Sequence, residues 1–276
     1  MRLLVTSAAG ANGDGYGALH AFDRGGRPEG AFSNDARIAD PRGLAIENDA
    51  GLLFLNSGAN RVLALDARGK IVRDSGPIDR LNPGGGAFGP DHRYYVGLRS
   101  ARTILALPNG LDGAGEHLLP PGIVPFPRGF AFDHDGRLFL ASGIGPDGEG
   151  DDTIVAVAPG DGVLSPHLVR DPELSPLDLV IAPNGNILVS SERPFGAPDA
   201  ITTVREYDAS DGQLVRVLSA DGKAEFRRPR GLRFAPDGSL YCVAQDEVVG
   251  FDFASGACLG AVVRFPRLNG QAVAFF

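Results

Sequence analysis

A six-residue pattern, Pro-Arg-Gly-apolar-x-apolar, recurs along the chain and constrains the fold more than any other feature. It is complete at 41–46, 127–132 and 229–234, and weaker copies occupy 83–88, 176–181 and 270–275. The second positions of the six copies are residues 42, 84, 128, 177, 230 and 271, so the copies start 41 to 53 residues apart. A repeat of this length, with apolar strands and frequent turn formers, is typical of the blades of a β-propeller.

Each repeat contains the signals of four short strands. The pattern itself is the first strand, and a hairpin turn follows it, as at Asp135-Gly136 and Asp237-Gly238. The second strand is short and apolar, as in 138–140, and the third ends in a turn former, as in 61–66. A fourth strand then leads to the next proline, which predicts four-stranded antiparallel blades.

The chain ends complete one blade between them. Residues 271–276 supply a first strand that has no following strands, and residues 2–32 supply three strands that have no first strand. Pairing these segments closes the ring and removes exposed strand edges. We therefore predict an all-β, six-bladed β-propeller formed by a single domain over residues 1–276. An open sandwich of similar strands accounts for neither the unbroken period nor the missing first strand.

Charge and cysteine content restrict the partners and the compartment. The net charge is −8 and basic blocks are absent, which argues against nucleic-acid binding. The sequence holds no apolar run near the roughly 18 residues of a membrane-spanning helix, so we expect no membrane partner. Cys242 and Cys258 fall on non-neighbouring strands of one repeat, where a disulfide is not expected. With no signal peptide recognisable at 1–7, these features favour the cytoplasm.

The repeat resembles the NHL repeat and the six-bladed propellers related to gluconolactonases and virginiamycin B lyase. The residues that carry the resemblance are the Pro-x-Gly-apolar starts, the Asp-Gly hairpins with a following Leu-Phe or Leu-Tyr strand, and segments such as 56–62. The resemblance implies a ligand site at one mouth of the central channel. Gluconolactonase-type enzymes hold a divalent metal with Glu, Asn and Asp in tryptophan-containing motifs, whereas this chain has no Trp and no matching set. No metal ligand is assigned, and a divalent cation such as Ca²⁺ or Mg²⁺ stays open as a cofactor.

Arginine occupies the second position of the pattern in alternate repeats, at Arg42, Arg128 and Arg230. Six first strands converge near the channel mouth, so these repeat arginines are predicted to face a common space. Guanidinium groups bind carboxylate or phosphate with two parallel hydrogen bonds, which favours an anion site. The alternative is that each arginine tethers a loop carbonyl or an acidic neighbour. Gln271 and Arg99 are predicted to join the same substrate-binding set.

Asp178 replaces the small residue that the third position of the pattern otherwise carries. A carboxylate among arginines is a candidate catalytic base, an orienting group or a metal ligand. The alternative is a salt bridge with Arg128 or Arg230.

Three long connections, 8–17, 143–152 and 192–200, are predicted to wall the mouth. Tyr16 and Glu192 lie on two of them and are candidate catalytic groups, with Tyr16 as an acid. The acidic segment 147–152 resembles a calcium loop in its alternating carboxylates but lacks the EF-hand glycine and late glutamate.

Two functions remain open from the sequence. The first is a small-molecule enzyme, a lactone or ester hydrolase or a lyase or isomerase, acting on an anionic substrate that the arginines hold. The second is a non-catalytic NHL-type propeller that binds a protein or peptide. The low aromatic content of 8% gives little support to the second.

Overall fold

The computed structural model describes residues 2–9, 15–47, 49–148, 150–158 and 162–276, which form twenty-four β-strands. No helix in these ranges is long and apolar enough to cross a membrane. The first three strands are β1 (Leu3–Ser7), β2 (Ala18–Phe22) and β3 (Pro28–Ser33). Blade 1 comprises β4 (Leu44–Glu47), β5 (Leu52–Ser57), β6 (Arg61–Leu65) and β7 (Ile71–Asp74).

The remaining blades follow the same order of strands. Blade 2 comprises β8 (Pro83–Phe88), β9 (Tyr94–Leu98), β10 (Thr103–Leu107) and β11 (Glu116–His117). Blade 3 comprises β12 (Pro127–Phe132), β13 (Leu138–Ser142), β14 (Thr153–Ala158) and β15 (Gly162–Val169). Blade 4 comprises β16 (Pro176–Ile181), β17 (Ile187–Arg193), β18 (Ile201–Tyr207) and β19 (Leu214–Leu218). Blade 5 comprises β20 (Leu232–Phe234), β21 (Leu240–Val243), β22 (Glu247–Phe251) and β23 (Cys258–Arg264), and β24 (Gly270–Phe275) follows it.

Blade 6 joins the two ends of the chain, as the repeat predicts. Its strand order is β24-β1-β2-β3, and each of the other five blades is an antiparallel sheet of four consecutive strands. In the closing pair, Leu3 lies opposite Phe275 and Val5 lies opposite Val273. The Ser7 hydroxyl donates to the Leu268 carbonyl, which adds a second link between the two ends of the chain. The predicted six-bladed propeller with its shared last blade is confirmed.

The core lies between the blades rather than within one layer. Buried apolar residues of the described chain form six clusters, and each cluster combines residues of two adjacent blades. Because neighbours cover both faces of a blade, middle strands such as β9 are buried along their whole length. Outer strands such as β3 and β19 are mostly exposed. A fully buried Leu or Val side chain at these seams contributes roughly 1.5–3 kcal/mol.

The inner strands approach one another closely at the third position of the pattern. A Cβ added to Gly85 would lie 2.8 Å from the Cα of Gly129, and one added to Gly231 would lie 2.7 Å from the Cα of Ala272. Gly85 and Gly231 therefore leave no room for a side chain, as expected from the sequence. Because the inner strands lie so close together, the residues at the second position of the six repeats surround the central axis of the ring.

Both cysteines are free and buried. Cys242 lies on β21 and Cys258 on β23, with β22 between them, which agrees with the expected absence of a disulfide.

Candidate functional site

A cavity of about 390 Å³ lies at the centre of the ring, and residues of all six inner strands or the segments just before them line it. Among the described residues, its charged lining consists of six arginines and one carboxylate: Arg42, Arg99, Arg128, Arg228, Arg230, Arg233 and Asp178. Gln271 and several glycines of the pattern form much of the remaining wall. The three repeat arginines therefore share one cavity, together with Arg99.

Two of the repeat arginines also hold a carboxylate. Arg42 lies 2.7 Å from the Asp40 carboxylate and donates a hydrogen bond to Gln271 Oε1 at 3.1 Å. Arg230 lies 3.0 Å from the Glu192 carboxylate. These arginines tether neighbouring segments and line the cavity at the same time, so the tether expected as one alternative does not remove them from the cavity.

Arg128 is more buried than the other repeat arginines, with 4% of its surface exposed. It donates to the Pro176 carbonyl at 2.6 Å and reaches the Asp152 carboxylate only at 4.0 Å. The Phe126 and Phe195 rings lie against its guanidinium, at 5.8 and 4.7 Å from their centroids. Burial lowers the pKa of Arg128 to about 10, so the side chain remains charged at neutral pH.

Arg99 is the cavity arginine whose positive charge is balanced least by neighbouring groups. Within the described residues it makes no ion pair, and its buried Nε has no hydrogen-bond partner. Its guanidinium lies over the Phe126 ring at 5.3 Å. Burial, followed by the charges of the three repeat arginines, lowers the pKa of Arg99 to about 9. An anion in the cavity would relieve this repulsion, since it adds the opposite charge close to four guanidinium groups.

Asp178 and Arg233 form one wall of the cavity. Asp178 Oδ2 accepts hydrogen bonds from the Leu232 amide at 3.0 Å and from Arg233 Nη1 at 3.2 Å. Arg233 also donates to the Leu44 carbonyl at 2.9 Å, which connects blade 5 with blade 1 past the intervening blade 6. The expectation that Asp178 pairs with a repeat arginine is wrong, because Arg233 is its partner.

The Asp178 side chain is a candidate proton-transfer group. Burial raises its pKa above the ordinary 3.8, although Arg233 and the backbone amides oppose that shift. Among the described residues it is the carboxylate that lines the cavity. It therefore faces the space inside the cavity directly.

Glu192 and Tyr16 are not among the residues that line the cavity. Glu192 belongs to strand β17 rather than to a loop, and its side chain is 2% exposed because it is packed against Arg230. The Tyr16 hydroxyl donates to the Pro266 carbonyl at 3.3 Å, and its ring packs against Phe265 at 5.4 Å. Glu192 thus acts on the cavity through Arg230, and Tyr16 lies apart from it.

The three long connections differ in how fully they are described. Residues 10–14 of the first lie outside the described residues, as does Glu149 of the acidic segment. Within that segment, Asp147 pairs with Arg102, and Asp152 lies 3.2 Å from Arg193. These carboxylates face arginines rather than one another.

A divalent metal of the gluconolactonase kind does not fit this cavity. The described residues contain no group of three or more His, Cys, Asp or Glu side chains placed to hold a metal ion. A lining of six guanidinium groups and one carboxylate repels a cation instead. The donor set suits an anion.

Sequence reasoning missed Arg233, Arg228 and Phe126. Arg233 has a signal, because the fifth position of the pattern is Ala or Val in the other five repeats. The exceptions Asp178 and Arg233 occur in adjacent blades and pair with each other. When two neighbouring repeats each carry an unusual residue at a position of the pattern, the two residues are thus candidates for a direct contact. Phe126 precedes a strand and has no such signal.

No known protein family matches the sequence, and no curated protein matches it. Solved structures match in fold. A chain of the nidogen/laminin complex gives a TM-score of 0.76 at 14% identity, over 99% of this chain and 97% of that one. A gluconolactonase from Xanthomonas campestris gives 0.64 at 17% identity, over 85% and 79% of the two chains. A streptogramin B lyase gives 0.57 at 15% identity, over 78% of this chain and 66% of that one.

The chain shares its fold with these propellers. The resemblance to gluconolactonase-like and virginiamycin B lyase-like propellers is confirmed at the level of architecture. The chain spans just under two thirds of the lyase it matches. Since folds of this kind serve many activities, the function has to be argued from the cavity.

Proposed function

We propose that the protein is an enzyme that binds a small anionic molecule in the central cavity and transfers a proton to or from it. The observation that supports this proposal is the lining, in which six arginines and one carboxylate face a cavity of about 390 Å³. A cavity of this size fits a small metabolite rather than a polymer. The net charge of −8 on the whole chain makes this local concentration of positive charge a specific feature.

The anion is held by the repeat arginines and Arg99, with Gln271 as a neutral donor. Arg42 and Arg230 keep a carboxylate partner, so each has donors left for a ligand after that pair is made. Arg99 has no carboxylate partner among the described residues, so its charge is the most available. Carboxylate and phosphate groups are the ligands that match forked guanidinium donors.

Asp178 is the proposed general acid or base. A carboxyl group whose pKa is raised by burial is better suited to proton transfer near neutral pH than an ordinary one. The surrounding guanidinium groups would stabilise negative charge that develops on the substrate. These groups suit hydrolysis of a lactone or ester as well as a lyase or isomerase step. The fold is shared with a gluconolactonase and a streptogramin B lyase, which supports testing both classes.

Arg99→Met tests the anion site. It removes a charge without leaving a carboxylate unpaired, so we expect the melting temperature to stay the same or rise. Calorimetric titration with citrate should show an affinity lower by roughly 10- to 100-fold, the value of a charge-assisted hydrogen bond. Arg68→Met is the matched control, because Arg68 lies exposed in the turn between β6 and β7. Equal citrate affinities in the two variants would contradict the proposal.

Asp178→Asn tests the catalytic role. The variant should bind citrate at least as tightly as the parent, because a negative charge has been removed from the cavity. Turnover of carboxylate-bearing lactones and esters, followed by proton release and by NMR, should fall by at least about 100-fold. Proton release identifies a hydrolase, and a double bond or an isomer without water uptake identifies the other class. Full turnover in the variant would exclude Asp178 as the proton-transfer group.

A second candidate, binding of a protein partner, is supported by one observation. The outermost strand of blade 4, β19, exposes the apolar side chains Leu214, Val215 and Val217. An unprotected apolar edge is a place where another chain can add. Val215→Lys with Val217→Lys should abolish partner binding and leave citrate binding as it is.

We also propose a cytoplasmic location. Cys242 and Cys258 are both free and buried in the core of blade 5. Free cysteines are common where the thiol pool is reduced. Fractionation of the source cells with an antibody against the protein checks this assignment.

A further inference from the structure

A second cavity, of about 670 Å³, adjoins the central one on the rim of blades 2 and 3. We call it the rim groove. Its charged lining includes Arg80 before β8, Arg102 before β10 and Asp147 in the connection between β13 and β14. Arg99 and Phe126 line both cavities.

The rim groove carries an excess of positive charge. The described residues that line it include three arginines, Arg80, Arg99 and Arg102, and one carboxylate, Asp147. Asp147 pairs with Arg102. Arg80 is exposed, and its Nη2 donates to the Ser100 carbonyl at 2.9 Å, which leaves its other N–H groups available. The groove therefore suits an anionic group, although its greater openness to water makes it the weaker of the two sites.

The shared wall makes the two cavities one continuous surface. Arg99 stands between them, with a buried Nε that has no hydrogen-bond partner in the described residues. The Phe126 ring supports Arg99 at 5.3 Å and Arg128 at 5.8 Å, so it keeps one guanidinium at the boundary and one inside the central cavity. A ligand that occupies both cavities would pass Arg99 and Phe126, which line both.

We propose that the substrate is a small molecule with two anionic groups, one held by the repeat arginines and one by Arg80 and Arg102 in the rim groove. This inference rests on the proposed anion site and names the class of molecule that fills it. The part of the substrate between the charges is apolar or lightly polar, because it passes the Phe126 side chain, which lines both cavities. The reacting bond is at the end that enters the central cavity, where Asp178 lies.

A series of linear dicarboxylates from malonate to suberate tests the inference. Each is titrated calorimetrically into the full-length protein at low ionic strength, and its affinity is divided by that of the monocarboxylate of the same length. We expect this ratio to pass through a maximum of about tenfold at one intermediate length, since a second charge-assisted hydrogen bond then forms. A ratio that stays near the statistical factor of two at every length overturns the inference.

Arg80→Gln and Arg102→Gln locate the second group. Each should reduce the affinity for the best dicarboxylate several-fold more than the affinity for its monocarboxylate, so the maximum flattens. Arg68→Gln, far from both cavities, should preserve the maximum. A maximum that survives in both rim variants overturns the assignment to the groove while the central site stands. If neither monocarboxylates nor dicarboxylates bind, the proposed function itself is overturned, and the inference with it.

Discussion

The two sides of the central cavity differ in how their arginines are neutralised. On blades 4 and 5, Arg230 lies 3.0 Å from Glu192 and Arg233 lies 3.2 Å from Asp178. We call this the compensated side. Its ion pairs are partly buried, so the carboxylates and the guanidinium groups satisfy one another within the fold.

Blades 2 and 3 form the uncompensated side. Arg99 has no ion pair among the described residues, and Arg128 reaches Asp152 only at 4.0 Å. Burial lowers the pKa of both arginines, to about 9 and about 10. One half of the wall thus balances its charges within the fold, whereas the other half carries positive charge that the described residues balance less well.

The largest effect is expected from Glu192→Gln on the compensated side. It leaves Arg230 buried without its carboxylate, which should reduce the free energy of unfolding by about 3–5 kcal/mol. Urea denaturation measures the loss, and citrate should restore part of it by supplying the missing charge. Glu116→Gln, which touches an exposed pair with Arg93, should change stability by less than about 1 kcal/mol. Similar losses of unfolding free energy in the two variants would mean that the Arg230–Glu192 pair stabilises the fold no more than the exposed pair does.

Gly129→Ala tests the seam where the two sides meet. The added Cβ would lie 2.5 Å from the Cα of Asp178, so the inner strands of blades 3 and 4 must separate. We expect a loss of about 1–3 kcal/mol in thermal or urea unfolding. At Gly97 on β9 the nearest atom would be 3.6 Å away, and Gly97→Ala should be close to neutral. If Gly129→Ala did not change stability, the inner strands of blades 3 and 4 would have room for a methyl group, contrary to the distances.

The charge of Asp178 should make anion binding depend on pH. The folded-state pKa of this group lies above 3.8, so the carboxyl is still partly protonated as the pH rises through that value. As it ionises at higher pH, the cavity gains a negative charge and citrate affinity should fall by about tenfold beyond the change due to citrate itself. Titrations across the pH range with sulfate, which keeps its charge, isolate this effect. Asp178→Asn should flatten the profile, and an unchanged profile in that variant would assign the dependence to another group.

The smallest effect concerns Phe195, whose exposed ring bridges the two sides. Its centroid lies 4.7 Å from the Arg128 guanidinium and 5.5 Å from that of Arg230. Phe195→Leu keeps an apolar side chain but removes the ring, so we expect a loss of about 0.5–1 kcal/mol in the free energy of unfolding. Ile144→Leu, at another exposed position, is the control and should show no change.

The ring could be predicted from the sequence because it depends on features that repeat. The Asp-Gly hairpins recur, and Gly136 has the positive φ of 80° that such a turn requires. The split blade followed from counting strands, and the pairing of Leu3 with Phe275 agrees with it. The turn signals are local and recur, and the split blade follows from the number of strands that they define.

The site was predictable only where it used the repeat. The second position of the pattern identified Arg42, Arg128 and Arg230 because equivalent positions of all blades face the same axis. The partner of Asp178 does not occupy the second position of the pattern. It is Arg233, at the fifth position of the neighbouring repeat, and only the joint departure of both residues from the pattern indicates the contact. The sequence places Glu192 in a loop, whereas it lies in β17. The length of β17 is set by its pairing with β18, and the residues of β17 alone do not show how far that pairing extends.

The order in which the strands are synthesised has a consequence for how the cavity is acquired. Strand β24 is the last of the twenty-four to leave the ribosome, yet it pairs with the first and carries Gln271 into the cavity wall. Until then, the inner edge of β1 is unpaired, and a nascent chain stalled at that stage is exposed to association with its neighbours. The wall of the central cavity is thus complete only once β24 has paired with β1, so the proposed anion site and the closed ring form together.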